Sequence, residues 1–443
     1  MVRYNLELAL RGLRRFPRTT LLAVLTVALG LAASMTTLAL LHMLSADPLP
    51  GRSQHLYLAW VDTVQAKSAD YKSLNGVTTT NYKRIKMADA QALLQAHRAV
   101  RQAALVGLDA DVSTAAGEHV QQGQSLLGTT SEFVPMFGVA LRYGRSWSAA
   151  EDAARAPVAV IDVDLAQKLF GTGDAVGRSI QLDKTVFRVI GVSTRFAPQP
   201  HFYGLDRWGF SGSDLENVFL PYTAALDAGL MPGGSDGCDA SAKGQRSLFE
   251  VDPARCAWLA YWVQMDTTPQ VADYRNYLDH YAEQQPALEG RTRQKAQLHS
   301  VSEWLTQQNV IPDNARMNVW LAGSFLLLCM VNVAGLLTAK FLRRSAEIGV
   351  RRALGAPRRA VFMQHVLEAT VVCALGGVLA SPLTLLGLWI LRMQDQGFTD
   401  LARLDPVMFG GLFVLALAVG VLVGVLPAWR AATVEPGLQV KSA

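Results

Sequence analysis

The stretch Arg343-Arg344-Ser345-Ala346-Glu347-Ile348-Gly349-Val350-Arg351-Arg352-Ala353-Leu354-Gly355-Ala356-Pro357-Arg358-Arg359 sets six arginines against one glutamate. It is wedged between two long apolar runs, Met317 to about Phe341 and Val361 to about Leu391. So many guanidinium charges cannot lie in hydrocarbon, and an arginine excess beside spanning helices marks the cytoplasmic side. Ile348, Val350, Ala353 and Leu354 offer a small apolar surface, and Gly355-Ala356-Pro357 supplies a stop and a turn before the next helix. A segment of this size and character suits a plug that one protein inserts into another.

Two more apolar runs complete the membrane pattern. From Thr19 to about Leu44 no side chain is charged at neutral pH, a length of about 25 residues against the ~20 that span a bilayer. The apolar core of a secretion signal runs only about 7 to 15 residues, so this run reads as a retained anchor. The last run is Val407 to about Trp429. Together they predict an α-helical membrane protein with four transmembrane helices. A large α+β extracytoplasmic domain of two subdomains is inserted between the first and second spans. The expected segments are a basic amphipathic interfacial helix at 1–18, carrying Arg3, Arg11, Arg14, Arg15 and Arg18, and spans at 19–45, 317–341, 361–391 and 407–430. The outer block covers 46–316, a cytoplasmic loop 342–360, a short outer loop 392–406 and a cytoplasmic tail 431–443.

Charge sets the orientation. Arg392 to Asp405 holds two arginines and three aspartates, whereas the amino terminus and the 342–360 loop are rich in arginine. Both termini are therefore expected in the cytoplasm. Trp320, Trp389 and Trp429 fall near span ends, where aromatic belts lie. Pro382 is expected to kink the third span. The overall charge of +5 does not point to nucleic acid, because the arginines cluster at the ends of apolar runs rather than along a polar face.

Of the four cysteines, Cys329 and Cys373 lie inside apolar runs and read as small buried hydrophobes. Cys238 and Cys256 lie in a polar, glycine-rich region and can form a disulfide if that region is outside the cytoplasm. The outer block is most informative from Ser131 to Val192, where β-branched runs such as Pro157-Val158-Ala159-Val160-Ile161 and Phe187-Arg188-Val189-Ile190-Gly191-Val192 alternate with glycine turns. That pattern predicts strands and one helix. About 195–270 reads as an inserted, variable distal lobe. Tyr274 to Gln284 and Val301 to Gln308 are expected to be helices.

No Gly-x-x-x-x-Gly-Lys-Ser/Thr, His-Glu-x-x-His or Gly-x-Ser-x-Gly string occurs in these 443 residues. His55, His97, His119, His201, His280 and His299 lack ligand spacing, so neither a catalytic nor a metal residue is assigned. Inside the spans, Asn332 suits an interhelical hydrogen bond. His365 and Glu368, one turn apart, are expected to pair with each other or with Arg358 and Arg359. Gly335, Gly376, Gly377 and Gly387 would let helices approach closely, within one chain or between two.

The string Glu347-Ile348-Gly349-Val350-Arg351-Arg352-Ala353-Leu354-Gly355-Ala356, followed by Glu368 and Gly376-Gly377, resembles the signature of FtsX-like, MacB-type permeases of ABC transporters. The tail from Leu426 to Pro436 resembles their closing motif, and the order of elements from Ser131 to Val192 resembles the MacB periplasmic core. The resemblance implies that Glu347, Ile348, Gly349, Val350, Arg351, Arg352, Ala353, Leu354 and Gly355 form a coupling helix docked on a cytosolic ABC ATPase dimer. ATP and magnesium would sit on that partner, with no cofactor on this chain, which would itself be non-catalytic. It further implies a bacterial inner-membrane location, a second permease, identical or paralogous, and a periplasmic adaptor with an outer-membrane duct. The expected function is efflux of a peptide or small natural product. The alternatives are a lipoprotein-releasing permease and an FtsX-like signalling platform that activates an envelope hydrolase.

Overall fold

The computed structural model describes residues 17–45, 47–61, 83–204, 215–230, 232, 237–238, 254–285, 296–308, 313–343, 350, 357–393 and 406–433. In chain order the elements begin with helix α1 (Pro17–Ser45), strands β1 (Leu56–Trp60) and β2 (Ile85–Lys86) and helix α2 (Met87–Ala96). Then come β3 (Arg101–Thr114), β4 (Gln121–Thr129), α3 (Phe133–Phe137), β5 (Leu141–Gly144), α4 (Ala149–Ala153), β6 (Val158–Asp162) and α5 (Val163–Phe170). Next are β7 (Ser179–Leu182), β8 (Thr185–Ser193), β9 (Val218–Pro221), α6 (Tyr222–Asp227), β10 (Gly237–Cys238) and β11 (Cys256–Gln264). The chain closes with α7 (Thr268–Gln284), β12 (Gln297–Ser300), α8 (Val301–Gln307), α9 (Asp313–Leu342), α10 (Arg358–Met393) and α11 (Pro406–Thr433). Two compact units result: the long helices α1 and α9 to α11 form one, and Ala46–Val310 forms the other.

The second unit is threaded by one mixed sheet with the strand order β12-β1-β11-β3-β4-β9-β6-β8-β5. β4 with β9 and β6 with β8 are parallel, while β1, β11, β3 and β4 pair antiparallel in turn. Alternate side chains feed two cores. Ala104, Val106 and Leu108 of β3 and Leu259, Tyr261 and Val263 of β11 enter one cluster. Ala103, Leu105, Ala260 and Trp262 enter the other. Both faces are covered, so β11 is apolar at eight consecutive positions and β9 at all four, rather than at every second one.

That geometry corrects two expectations. The strands of the outer block belong to a single continuous sheet, so the part expected as a core and the part expected as a lobe share one backbone framework. Residues 256–264 are no part of a distal lobe: β11 lies between β1 and β3, its first eight residues all buried. The unbroken run Cys256-Ala257-Trp258-Leu259-Ala260-Tyr261-Trp262-Val263 is the signature of a strand covered on both sides. A third correction concerns Ser131 to Val192, which holds three short helices, α3, α4 and α5, rather than one. Two of them are five residues long, too short to show a helical period. The signals that were present are local, as where Ser148 and Glu151 form a reciprocal capping box at the start of α4.

In the helical unit, three helices among the described residues are long and apolar enough to cross a membrane: Pro17–His42, Met317–Leu342 and Arg358–Ile390. The fourth expected span falls on α11, whose described apolar stretch Phe413–Trp429 is shorter. The core between these helices is built mostly from residues three or four apart. Ala23, Val27 and Leu31 of α1 and Val333, Leu337 and Phe341 of α9 pack with Ala369, Val372 and Cys373 of α10 and with Ala416, Val419 and Val423 of α11. Glycines set the spacing. A Cβ on Gly376 would stand 2.7 Å from Val27, one on Gly377 2.7 Å from Ala416, and one on Gly424 2.7 Å from Ala369. Gly387 is close to Thr36, but Gly335 faces open space. α10 continues through Pro382 to Met393.

α9 is the least covered of these three helices: only 11% of its most apolar window is buried, against 44% for α1 and 39% for α10. Asn332 lies on that uncovered face and is exposed, so the expected hydrogen bond to a neighbouring helix is not made by this residue among the described ones. Trp320, Trp389 and Trp429 are all exposed, as interfacial anchors must be.

Candidate functional site

The arginine-rich connector joins the end of α9 to the start of α10. Of its proposed docking residues, Val350 is described, and its side chain is exposed. Glu347, Ile348, Gly349, Arg351, Arg352, Ala353, Leu354 and Gly355 lie outside the described residues. The flanking residues are informative: Arg358 and Arg359 are exposed at the beginning of α10, while the helix ends just inside the connector carry a buried polar cluster.

Lys340, in the last turn of α9, places Nζ 2.6 Å from Oε1 of Glu368 on α10, and both side chains are almost fully buried, at 3% and 1% exposure. The same ammonium donates to the hydroxyl of Thr20 in the first turn of α1, at 3.4 Å. His365 Nδ1 lies 3.8 Å from Glu368 Oε2, and its ring packs against Phe341 with centroids 4.0 Å apart. Three helices therefore meet at one pair of opposite charges. An isolated charge at this depth costs several kcal/mol, whereas a paired one largely cancels that penalty. Glu368 thus faces His365, as expected, and also Lys340, which was not expected, while Arg358 and Arg359 are exposed instead. The reason is depth: Glu368 is ten residues into α10, about 15 Å from Arg358 along a helix rising 1.5 Å per residue. Lys340 reaches it from the last turn of α9.

A second buried polar group lies in the other unit. His201 Nε2 is 3.0 Å and 3.2 Å from the two carboxylate oxygens of Glu216, and the Tyr203 hydroxyl donates to Glu216 Oε2 at 2.8 Å. Burial alone would raise the Glu216 pKa, but the charge and hydrogen bond of His201 and the Tyr203 hydroxyl more than offset it, holding the carboxyl below its ordinary 4.5. Around the group, Phe133, Phe137, Phe196, Phe202 and Trp262 form a continuous set of ring contacts with Tyr203 or Phe202. The indoles of Trp262 and Trp304 donate to the backbone carbonyls of Tyr203 and Phe202. Gly204 is required here, since a Cβ would stand 2.5 Å from the His201 ring. Elsewhere in the unit, Cys256 is disulfide-bonded, and Cys238 stands opposite it in the β10–β11 ladder. Cys329 and Cys373 are free and buried. Among the described residues no group of three or more His, Cys, Asp or Glu side chains is placed to hold a metal ion.

Comparison with known proteins decides what these parts belong to. A family model described as the MacB-like periplasmic core domain matches residues 20–252, and one described as the FtsX-like permease C-terminal region matches residues 319–436. The chain belongs to the MacB-like, FtsX-like permeases of the ABC transporter family. Among its relatives is the macrolide export ATP-binding/permease protein MacB of Bordetella avium, 25% identical over 97% of this chain and 59% of the relative. MacB 1/2 of Paracoccus denitrificans, a protein of the same name, is 25% identical over 97% of this chain and 57% of the relative. The chain thus spans about half the length of the curated relatives it matches. The crystal structure of the periplasmic region of MacB from Actinobacillus actinomycetemcomitans aligns with a TM-score of 0.36 at 14% identity, covering 60% of this chain and 96% of that one.

Within this permease, sequence reasoning missed Lys340. A single lysine at the end of an apolar run reads as an interfacial residue that extends to the headgroups. The available signal was its counterpart: one lone cation in the second span and one lone carboxylate in the third, at opposite sides of one connector. The buried status of His201 and Glu216 left no such trace, because both lie in a stretch of mixed composition with no period.

Proposed function

We propose that this permease is the membrane part of a MacB-type exporter, in which ATP-driven closure of nucleotide-binding subunits seated on Glu347–Gly355 is carried by the long helices to the periplasmic core domain. The helices act as levers and the cargo, a peptide or small natural product, is handled on the periplasmic side. In this reading α11 is a fourth span, both termini are cytoplasmic, the protein lies in a bacterial inner membrane, and two permeases work together. A periplasmic adaptor and an outer-membrane duct complete the path. ATP and magnesium belong to the nucleotide-binding partner, and Cys238 bonds to Cys256 on the oxidising side.

The observation that carries the reading is the match across the connector and its flanking helices, from 319 to 436, in a chain whose relatives are named ATP-binding/permease proteins. These 443 residues hold no phosphate-binding loop, so the nucleotide-binding part lies outside them. Polar groups buried in the helical unit are few and are used in pairing, which supports a lever over a wet channel through the bilayer. The double substitution Arg351→Glu with Leu354→Glu tests the docking role, read as ATP-dependent efflux of a macrolide, the cargo class in the relatives' name. Efflux is expected to fall at least about tenfold, the effect of losing a contact worth ~1.4 kcal/mol, with membrane insertion intact. Unchanged efflux would remove the connector from the mechanism.

A further inference from the structure

We propose that the MacB-like domain carries a binding cleft for a small amphiphile with a free carboxylate, the acid seated on the guanidinium of Arg52 and the apolar body against Pro135, Trp147 and Ala149. The site goes beyond the transmission of force, and it stands whether or not the connector seats a nucleotide-binding partner.

The cleft lies between α3, the turn after it and the segment that enters α4, with a volume of about 640 Å³. Clefts that hold small ligands run from roughly 300 to 1,000 Å³. Its two rim charges differ in how they are paired. Glu132 is met by Arg101, with Nε 3.1 Å from Oε2. Arg52 has no acidic partner among the described residues; its Nη1 donates to the backbone carbonyls of Pro135 and Met136 at the end of α3, at 3.0 and 3.5 Å. Those bonds occupy one corner of the group. Gly138 lets the guanidinium lie flat over the backbone, since a Cβ there would stand 2.6 Å from Nε, 2.8 Å from Cζ and 3.2 Å from Cδ, a contact on the face of the group rather than along its N–H bonds. The edge formed by Nε and Nη2 therefore makes no hydrogen bond with the described residues, and two parallel N–H groups are the fork that takes a carboxylate bidentately. The unmatched charge is positive, which favours an acid over a neutral or basic ligand.

The walls are set before a ligand arrives. The indole of Trp147 donates to Asp152 Oδ1 at 2.8 Å, and Oδ2 of the same carboxylate accepts from the Ser131 amide at 2.6 Å, so one side chain fixes two sides of the cleft. Pro135 and Ala149 are exposed and give the cleft its apolar surface. Ser146 lines it too, and its shielded hydroxyl has no hydrogen-bond partner among the described residues. Buried polar groups are rarely left in that state, and an acceptor on the ligand would complete it. Fixed walls lower the cost of binding.

The test is calorimetric titration of the full-length protein in lipid nanodiscs, with the heat of empty discs subtracted. The probes are N-acetyl-leucyl-phenylalanine and octanoate, each compared with its own carboxamide. At least one acid is expected to bind the natural chain at least about tenfold more tightly than its amide, the margin of a charge-assisted hydrogen bond. Arg52→Gln is expected to erase that preference. Ala149→Trp, at an exposed position, is expected to block acid and amide alike by filling the cleft. A response to the dipeptide alone assigns the site to a peptide's carboxy terminus, and a response to octanoate alone assigns it to an acyl chain. Equal affinity for acid and amide in the natural chain would overturn the proposal and leave Arg52 as a cap on α3 only. So would an acid preference that survives Arg52→Gln. If that variant fails to accumulate, Ala149→Trp decides, and unchanged acid binding there would equally overturn the site.

Discussion

Single residues carry the two buried charge clusters, and each has a measurable consequence. Glu216 is ionised inside the MacB-like domain because His201 and Tyr203 face it. Replacing it with glutamine leaves His201 without its anionic partner, a loss of about 3 kcal/mol by the behaviour of broken buried pairs. For a domain of this size the thermal midpoint should drop on the order of 10 °C, followed through the fluorescence of buried Trp258, Trp262 and Trp304. The pH dependence has a definite sign. A carboxyl whose folded pKa is lowered adds stability that is complete above its unfolded value, 4.5, and is lost as pH falls through the lower folded value. Acid titration should therefore destabilise the natural protein below about pH 4.5 more steeply than Glu216→Gln; equal slopes would show that the charge contributes nothing. Glu151 is pulled down further, to about 2, chiefly by the paired hydrogen bonds of Arg145. Being exposed, that pair is expected to add little to stability.

At the scale of elements, what could be read from the sequence depended on how each element is covered. The apolar runs were legible as spanning helices because length and hydropathy alone identify them. Their inward faces were not, since a helix apolar all round has no amphipathic stripe to point with. The glycines divide accordingly. Gly377→Leu should force α10 from α11, where a Cβ already stands 2.7 Å from Ala416, at a cost of about 1 to 3 kcal/mol. Gly335→Leu, with open space beside it, should leave the thermal midpoint of the solubilised chain unchanged. Equal loss at both sites would contradict the helix packing described here. β11 teaches the complementary lesson. Its continuous apolar run was visible, but a strand's place in a sheet depends on partners far along the chain, Arg101 to Leu105 on one side and Leu56 to Leu58 on the other. No local pattern encodes such a pairing. The short helices α3 and α4 were missed for the opposite reason: they are shorter than the period that would reveal them.

For the molecule as a whole, the account is of a transmission: a basic connector that receives force, a buried charge cluster at its base where three helices meet, and a two-sided sheet domain that does the outer work. The connector itself was the most legible part of the candidate site, because ordered arginines and a helix stop are written in consecutive residues. The charge pair behind it was not, because Lys340 and Glu368 are brought together only when the helix bundle assembles. The central claim is that this connector seats a nucleotide-binding protein, and Val350 is the place to ask, being exposed while both free cysteines are buried. A photo-crosslinking residue at Val350 in native membranes, with the captured polypeptide identified by mass spectrometry, is the direct measurement. The account predicts capture of a polypeptide segment carrying a phosphate-binding loop; crosslinks confined to lipid or to this chain's own 443 residues would contradict it.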